Sequence, residues 1–242
     1  MLRTFAFFFC IVHAHAVSRP CGKDADGQAR LVIVSHVRYT KPLRVMMNSL
    51  AASGFSEFCR TVVVESGERE ERGPERSGNV TTIQTALDAY EYSGMAALRQ
   101  HAAHPLVKAP AFFYLPVTSM ASPNFVEFFD RVVGELGEAD VLASPSEMDS
   151  NVIAFSPALL DRCGDRFQRR MNNKKDAMYA EATRAMRCGT PPERTKLTAS
   201  PRVLLGEADP YSTHAPRLVY HYPDFGIYKF VCQTVVGCAV DR

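Results

Sequence analysis

Four short polar segments carry the residue types that can do chemistry, and each follows an apolar run. Ser35, His36 and Arg38 come at and after Leu31-Val32-Ile33-Val34. Glu65, Ser66 and Gly67 follow Thr61-Val62-Val63-Val64. Pro116, Val117, Thr118 and Ser119 follow Ala111-Phe112-Phe113-Tyr114-Leu115, and Glu147 and Asp149 lie just beyond Asp140-Val141-Leu142-Ala143. A carboxylate in such a place can ligate a metal or act as general base toward a hydroxyl. Thr and Ser can hydrogen-bond a phosphate, and Arg suits bidentate phosphate binding. Later in the chain His214, Arg217, His221 and Lys229 add imidazole and cationic groups. Gly-x-Gly-x-x-Gly, Gly-x-x-x-x-Gly-Lys, Gly-x-Ser-x-Gly and His-Glu-x-x-His are all missing, which argues against dinucleotide enzymes, P-loop NTPases, α/β-hydrolases and zincins.

Strands and helices must hold these residues. The β-branched run at 31–35 reads as a buried strand, and Thr40 as the cap of a helix whose Leu43, Met46, Met47 and Leu50 share a face up to Gly54. With a second strand at 61–64 this forms a βαβ unit, hence a parallel pair. Residues 65–78 read as a solvated charged loop. A helix is expected over 82–99, with Ile83, Ala86, Leu87, Tyr90, Gly94 and Leu98 on one side and Asp88 and Glu91 solvated. Residues 111–115 form a third strand, and Ser122-Pro123 opens a helix striped by Phe125, Phe128, Phe129, Val132 and Leu136. Strands at 140–143 and 151–155, helices at 157–162 and 174–187, and a Pro-rich loop at 188–201 complete the pattern. The tail carries Tyr220, His221, Tyr222, Phe225, Tyr228 and Phe230, which could form core, a docking lid or a stack on an acceptor sugar. The alternation predicts an α/β fold with a mostly parallel central sheet, and in such sheets ligands bind beyond the carboxyl ends of the strands.

Composition sets the compartment and narrows the partners. The 242 residues are 46% hydrophobic and 22% charged, enough for a real core. Lys plus Arg number 28 and Asp plus Glu 26, a formal charge of +2, which gives no support to nucleic-acid binding. Trp is absent, which weakens any reading that needs a Trp platform. Residues 1–16 have a basic start, a short apolar core and an Ala-x-Ala end, the pattern of a secretory signal peptide. That run is too short to span a bilayer comfortably, so no stable span is expected after cleavage, and a type II anchor is the weaker alternative. Residues 17–30 read as a leader and 31–242 as one domain. Beyond the signal six cysteines remain, Cys21, Cys59, Cys163, Cys188, Cys232 and Cys238, which predicts disulfides of unspecified connectivity. Asn79-Val80-Thr81 is a glycosylation sequon. Together these place the protein in the secretory pathway, secreted or lumenal.

The segments LVIVSHVRYTKPLRVMMNSLAASGF and TVVVESG resemble the opening of a GT-A glycosyltransferase, in which the first strand and the acidic residue after the second hold the nucleotide of a nucleotide-sugar. TALDAYEYSGMAALRQH, FFYLPVTSMASPNFVEFF, SNVIAFSPALL and RLVYHYPDFGIYKF are similar to later parts of glycosyltransferase-like proteins, so the likeness runs over about residues 31–230. The resemblance implies a single GT-A-like, Rossmann-like domain that takes a nucleotide-sugar donor and a glycan or protein acceptor. It places Ser35, His36, Arg38, Glu65, Thr118 and Ser119 at the donor, with Glu65 facing base or ribose.

One departure bears on mechanism. GT-A enzymes carry Asp-x-Asp after the strand that here ends at Leu115, and its carboxylates hold Mn²⁺ or Mg²⁺ on the diphosphate. Here the stretch is Leu-Pro-Val-Thr-Ser, and the chain's Asp24-Ala25-Asp26 lies before the first strand as a chance match. Glu147 and Asp149 are the substitute candidates for metal ligand or catalytic base, with His214 and His221 as late metal ligands or phosphate contacts. Arg38, Arg217 and Lys229 are the candidates for clamping the diphosphate without a metal. Two functions stay open: a secretory-pathway glycosyltransferase acting on a hydroxyl acceptor, or a catalytically inactive GT-A-like module that binds glycan or nucleotide or partners an active enzyme.

Overall fold

In the computed structural model, residues 21, 28–87, 91–144, 152–164, 188–204 and 219–230 are described. β1 (Arg30–His36), α1 (Thr40–Ala52), the short α2 (Phe55–Phe58) and β2 (Arg60–Ser66) build the expected βαβ unit, and β1 and β2 pair in parallel. Met46 and Leu50 of α1 are fully buried, with Leu43 and Met47 packed against the same cluster. Gly54 closes this helix in the left-handed region at φ 75°, where a side chain would be strained.

Two segments in the first half of the chain differ from the sequence expectation. Within 65–78, Arg72–Ser77 forms β3, an exposed edge strand antiparallel to β4 (Val80–Thr85), with the register broken around Gly73 and Pro74. Charge and Pro suit an edge, because its outer backbone groups face water. The expected helix over 82–99 divides into β4 and α3 (Glu91–His101). In β4, Thr81, Ile83 and Thr85 are buried while Thr82 and Gln84 are half-buried, a period of two on β-branched residues. Gly94 lets α3 lie close to the sheet, since a Cβ there would overlap Val34 Cγ2 and the Tyr114 hydroxyl.

β5 (Phe112–Pro116) pairs with the other side of β1, and β6 (Ser119–Ala121) then leaves the main sheet before α4 (Phe125–Leu136). β7 (Val141–Ala143), β8 (Ile153–Phe155), α5 (Pro157–Cys163) and β9 (Thr195–Leu197) follow. β9 and the 3₁₀ turn Pro192–Arg194 lie in the stretch expected as a Pro-rich loop. β10 (Arg202–Leu204), β11 (Val219–Tyr222) and β12 (Ile227–Phe230) come last. The main sheet has eight strands in the order β3-β4-β2-β1-β5-β8-β7-β9, and a four-stranded sheet runs β10-β11-β12-β6. The main sheet is mixed, which corrects the expectation of a mostly parallel one. β3–β4, β5–β8 and β7–β8 are antiparallel pairs. β3 reaches β4 by a tight turn at Gly78-Asn79, and the β7–β8 connection is shorter than the dozen or so residues a parallel crossover needs. The helix expected at 174–187 lies outside the described residues.

Alternation along β1 splits the core across the sheet. Val32 and Val34 face α3 and α5; Leu31 and Ile33 face α1, α4 and the second sheet. Disulfide Cys21–Cys59 lies in the half of the core under α1 and α4 and Cys163–Cys188 in the half under α3 and α5, while Cys232 and Cys238 lie outside the described residues. The Cys21 amide donates to Asp130 Oδ1 at 2.8 Å, tying this part of the expected leader to α4. Burial pushes the Asp130 carboxyl up, partly offset by that amide. The Asp140 carboxylate, almost wholly buried, accepts from Arg194 at 2.7 Å, Arg162 at 2.5 Å and the Ser156 hydroxyl at 3.2 Å. The Arg194 hydrogen bond leads in holding it far below the usual carboxylate range, against the cost of burial. Among the described residues no helix is long and apolar enough to cross a membrane.

Candidate functional site

The carboxyl ends of β1, β2 and β4 end level with one another. Register pairs Ser35 with Glu65 and His36 with Ser66 across β1–β2, and Glu65 with Gln84 across β2–β4. The Ser66 hydroxyl donates to Ser35 O at 3.0 Å, and Val37 N to Ser66 O at 2.9 Å, so the two strand ends are locked together. A cleft of about 470 Å³ opens there, lined by Val37, Gly67, Glu68, Arg69, Glu70, Arg72 and Gln84.

Two of the sequence candidates are fixed beside this cleft. The Gln84 amide donates to Glu65 Oε2 at 3.2 Å and to Glu68 Oε1 at 3.5 Å, so one neutral donor holds both carboxylates. His36 lies against Gly67: a Cβ at Gly67 would come within 2.9 Å of His36 Cε1 and 3.0 Å of Cδ2, and would overlap Nε2. Gly67 also sits at φ 77°, so both its backbone and its space require glycine. The His36 Nδ1 accepts from Arg38 N at 3.1 Å, which turns the ring toward the end of the strand. Ser35 is buried, His36 half-buried and Arg38 exposed.

The β5–β6 turn lies on the other side of β1. Val117 N donates to Val34 O at 2.9 Å, which brings Thr118 and Ser119 toward the end of β1. Phe230 N donates to Thr118 O at 2.9 Å, and Lys229 stands opposite Ser119 in the β6–β12 register. Thr118, Ser119 and Lys229, far apart in sequence, therefore converge, and the Lys229 side chain is buried at 8% exposure. Oxygen-rich carboxylate sets are what Mg²⁺ and Mn²⁺ require. This turn offers two hydroxyls and an ammonium, and no cluster of three metal-ligating side chains occurs among the described residues. The donor set at this turn does not fit a divalent cation.

The remaining candidates fall elsewhere. Glu147, Asp149, His214 and Arg217 lie outside the described residues. His221, on β11, stacks on Tyr228 with ring centroids 4.7 Å apart and planes at 15°. Tyr222 and Phe225 are core, so the tail aromatics divide between packing and surface. Sequence reading missed Glu68, Arg69, Arg72 and Gln84 as cleft residues. The signal was present in the β-branched alternation at 80–85, which places Gln84 level with Glu65. The sequon Asn79 has its amide donating to Ser56 O at 3.1 Å and Glu57 O at 3.3 Å.

No family model matches the chain, and no curated protein matches it. Among solved structures it is similar to GlyE, a glycosyltransferase of Streptococcus pneumoniae TIGR4, at 11% identity and TM-score 0.44 over 71% of this chain and 45% of that one. It is also similar to residues 1–349 of S. aureus TarS, at 14% identity and TM-score 0.39 over 55% of this chain and 48% of that one. A second TarS structure gives 12% and 0.38 over 56% and 29%. The chain thus spans about half or less of the length of each of these structures.

Proposed function

We propose that the protein is a glycosyltransferase-like protein of the secretory pathway that binds a nucleotide-sugar in the cleft at the ends of β1, β2 and β4. The observation that carries this reading is the joint placement of Glu65, held by Gln84, and His36, seated on Gly67, at the parallel strand ends. Ligands of α/β sheets bind at such ends. Glu65 accepts hydrogen bonds from the base or ribose, while Ser35, His36 and Arg38 complete that side. The diphosphate lies toward the β5–β6 turn, where the Thr118 and Ser119 hydroxyls donate to it. Lys229, with Arg217 from the tail, supplies positive charge in place of a metal. Such fixed cations stabilise the leaving group as charge develops. Glu147 or Asp149 takes the proton of the acceptor hydroxyl. The disulfides Cys21–Cys59 and Cys163–Cys188 agree with a secretory location, because oxidising compartments favour such bonds.

The second reading, a binding module without transfer, is favoured by the lack of a carboxylate at Pro116–Ser119. A thermal-shift series with UDP-, GDP- and CMP-sugars, each with and without Mn²⁺, tests the donor site, because a ligand of the native state raises the melting temperature. A metal-independent rise with one donor class is expected. A flat response to all of them removes the transferase reading. Release of the donor's nucleotide (UDP or GDP, or CMP from a CMP-sugar) with a hydroxyl acceptor then separates enzyme from binding module.

A further inference from the structure

The cleft beside Gln84 has a definite pattern of hydrogen-bonding groups. The Gln84 amide nitrogen already donates to Glu65 and Glu68, so the polar atom it has left for a ligand is its carbonyl oxygen. Glu68 and Glu70 line the same cleft, and as carboxylates they can only accept. Arg72 stands directly opposite Gln84 in the β3–β4 register, hence on the same face of the sheet, and Arg69 follows Glu68 in the lining loop. Both arginines are exposed, and neither guanidinium has a carboxylate partner among the described residues. Val37, exposed at the mouth of α1, gives the cleft an apolar surface. At about 470 Å³ the space is of small-molecule size.

The sheet order sets which part of a nucleotide lies here. From β4 the order runs through β2 and β1 to β5. Three strand spacings, about 14 Å, therefore separate Gln84 from the β5–β6 turn. That is the reach of an extended nucleoside diphosphate. A nucleotide whose phosphates lie by Thr118 and Ser119 has its ribose near Glu65 and its base in the cleft.

The base must then present adjacent N–H donors to Glu68 and Gln84, with acceptors beside them for an arginine. Uracil has one N–H between two carbonyl oxygens, and those oxygens would meet the oxygens of Glu68 and Gln84. Cytosine and adenine each set a single amino group beside an acceptor ring nitrogen. Guanine alone carries N1–H next to N2–H₂, with O6 and N7 on the neighbouring edge, where Arg pairs bidentately.

We infer that the cleft selects guanine, so that the donor is a GDP-sugar; this rests on the nucleotide-sugar reading of the site. The Glu68 carboxylate accepts from N1–H and N2–H, the Gln84 carbonyl from the second N2–H, and Arg69 or Arg72 donates to O6 and N7. A site built to meet a substrate's N–H groups rejects analogues that lack them, because its own buried acceptors are then left unpaired.

The test is calorimetric titration of the full chain with GDP, IDP, UDP, CMP and ADP. IDP is GDP without the 2-amino group, so this comparison needs no variant. GDP should bind at least tenfold more tightly than each of the others, since each lacks hydrogen bonds to a charged group. Glu68→Gln should weaken GDP about tenfold and shrink the difference between GDP and IDP. The inference is overturned if UDP, CMP or ADP binds as tightly as GDP, if IDP matches GDP, or if Glu68→Gln leaves GDP binding unchanged. Tight binding of UDP or CMP in place of GDP removes the guanine assignment and leaves the donor site standing. No binding of any nucleotide removes both. GDP binding without release of GDP from a GDP-sugar in the presence of a hydroxyl acceptor keeps the base assignment and removes the transferase reading.

Discussion

Gly67→Ala is expected to destabilise the protein through two separable effects, and a double mutant divides them. Alanine at φ 77° must adopt a left-handed conformation, which costs about 1–2 kcal/mol. Its Cβ would also overlap the His36 ring, which lies within 3.0 Å at Cδ2. Overpacking of that kind costs about 1–3 kcal/mol, and the lower end applies because His36 is only half-buried and can shift. The expected total is about 2–3 kcal/mol. In a His36→Ala background the overlap is gone and only the backbone cost of about 1–2 kcal/mol remains. Urea unfolding of the four proteins in the cycle reads both numbers. With a slope of about 2.5 kcal/mol per molar, the midpoint should fall by about 1 M in the wild-type background and by roughly half that beside His36→Ala. An identical cost in both backgrounds would refute the seating of His36 on Gly67, and with it the shape of the cleft.

Other expectations follow from the same structure. Asp140→Asn should lower stability by about 2 kcal/mol, since the carboxylate is buried while its two Arg partners stay hydrated, and urea midpoints measure it. The folded Asp140 carboxyl lies below its unfolded value, so its contribution is complete at neutral pH. It begins to fade as pH drops below about 3.9, the unfolded value, and is lost as pH falls through the folded value. Acid unfolding of Asp140→Asn should therefore lack that part of the pH dependence. Gly94→Ala should cost about 1–3 kcal/mol by forcing α3 off Val34 and Tyr114, read by thermal melting; a neutral result would contradict the close approach. Replacing Cys163 and Cys188 by Ser should cost about 3.5 kcal/mol, from a sequence separation of 25, with a matching fall in denaturant midpoint.

The strands that carry the site were legible because they are buried on both faces and read as unbroken apolar runs. Leu31 to Val34, Thr61 to Val64 and Phe112 to Leu115 all occupy the positions expected, and their polar followers converge as parallel strand ends must. β4 was obscured because Ile83 and Leu87, four apart, also satisfy a helical spacing, so the period of two in Thr81, Ile83 and Thr85 was outweighed. β3 was invisible to hydropathy because an edge strand exposed along its length, Arg72 to Ser77, has no apolar face to show. The mixed sheet followed from connection length rather than composition: Ala143 and Ile153 are too close in sequence for a crossover. The site was legible where one strand end supplied it, as with Glu65 and His36. It was not legible where it needed pairing between distant strands, as with Gln84 against Glu65 or Lys229 against Ser119.

The most direct measurement is titration of the nucleotide-sugar giving the largest thermal shift into wild type and into Glu65→Gln. On the proposed reading Glu65 accepts from the ligand through a charge that Gln lacks. Binding weaker by about tenfold or more is therefore expected in the variant, with the fold unchanged by circular dichroism. Equal affinity for the two proteins, or no donor binding by the wild type, would contradict the assignment of the cleft.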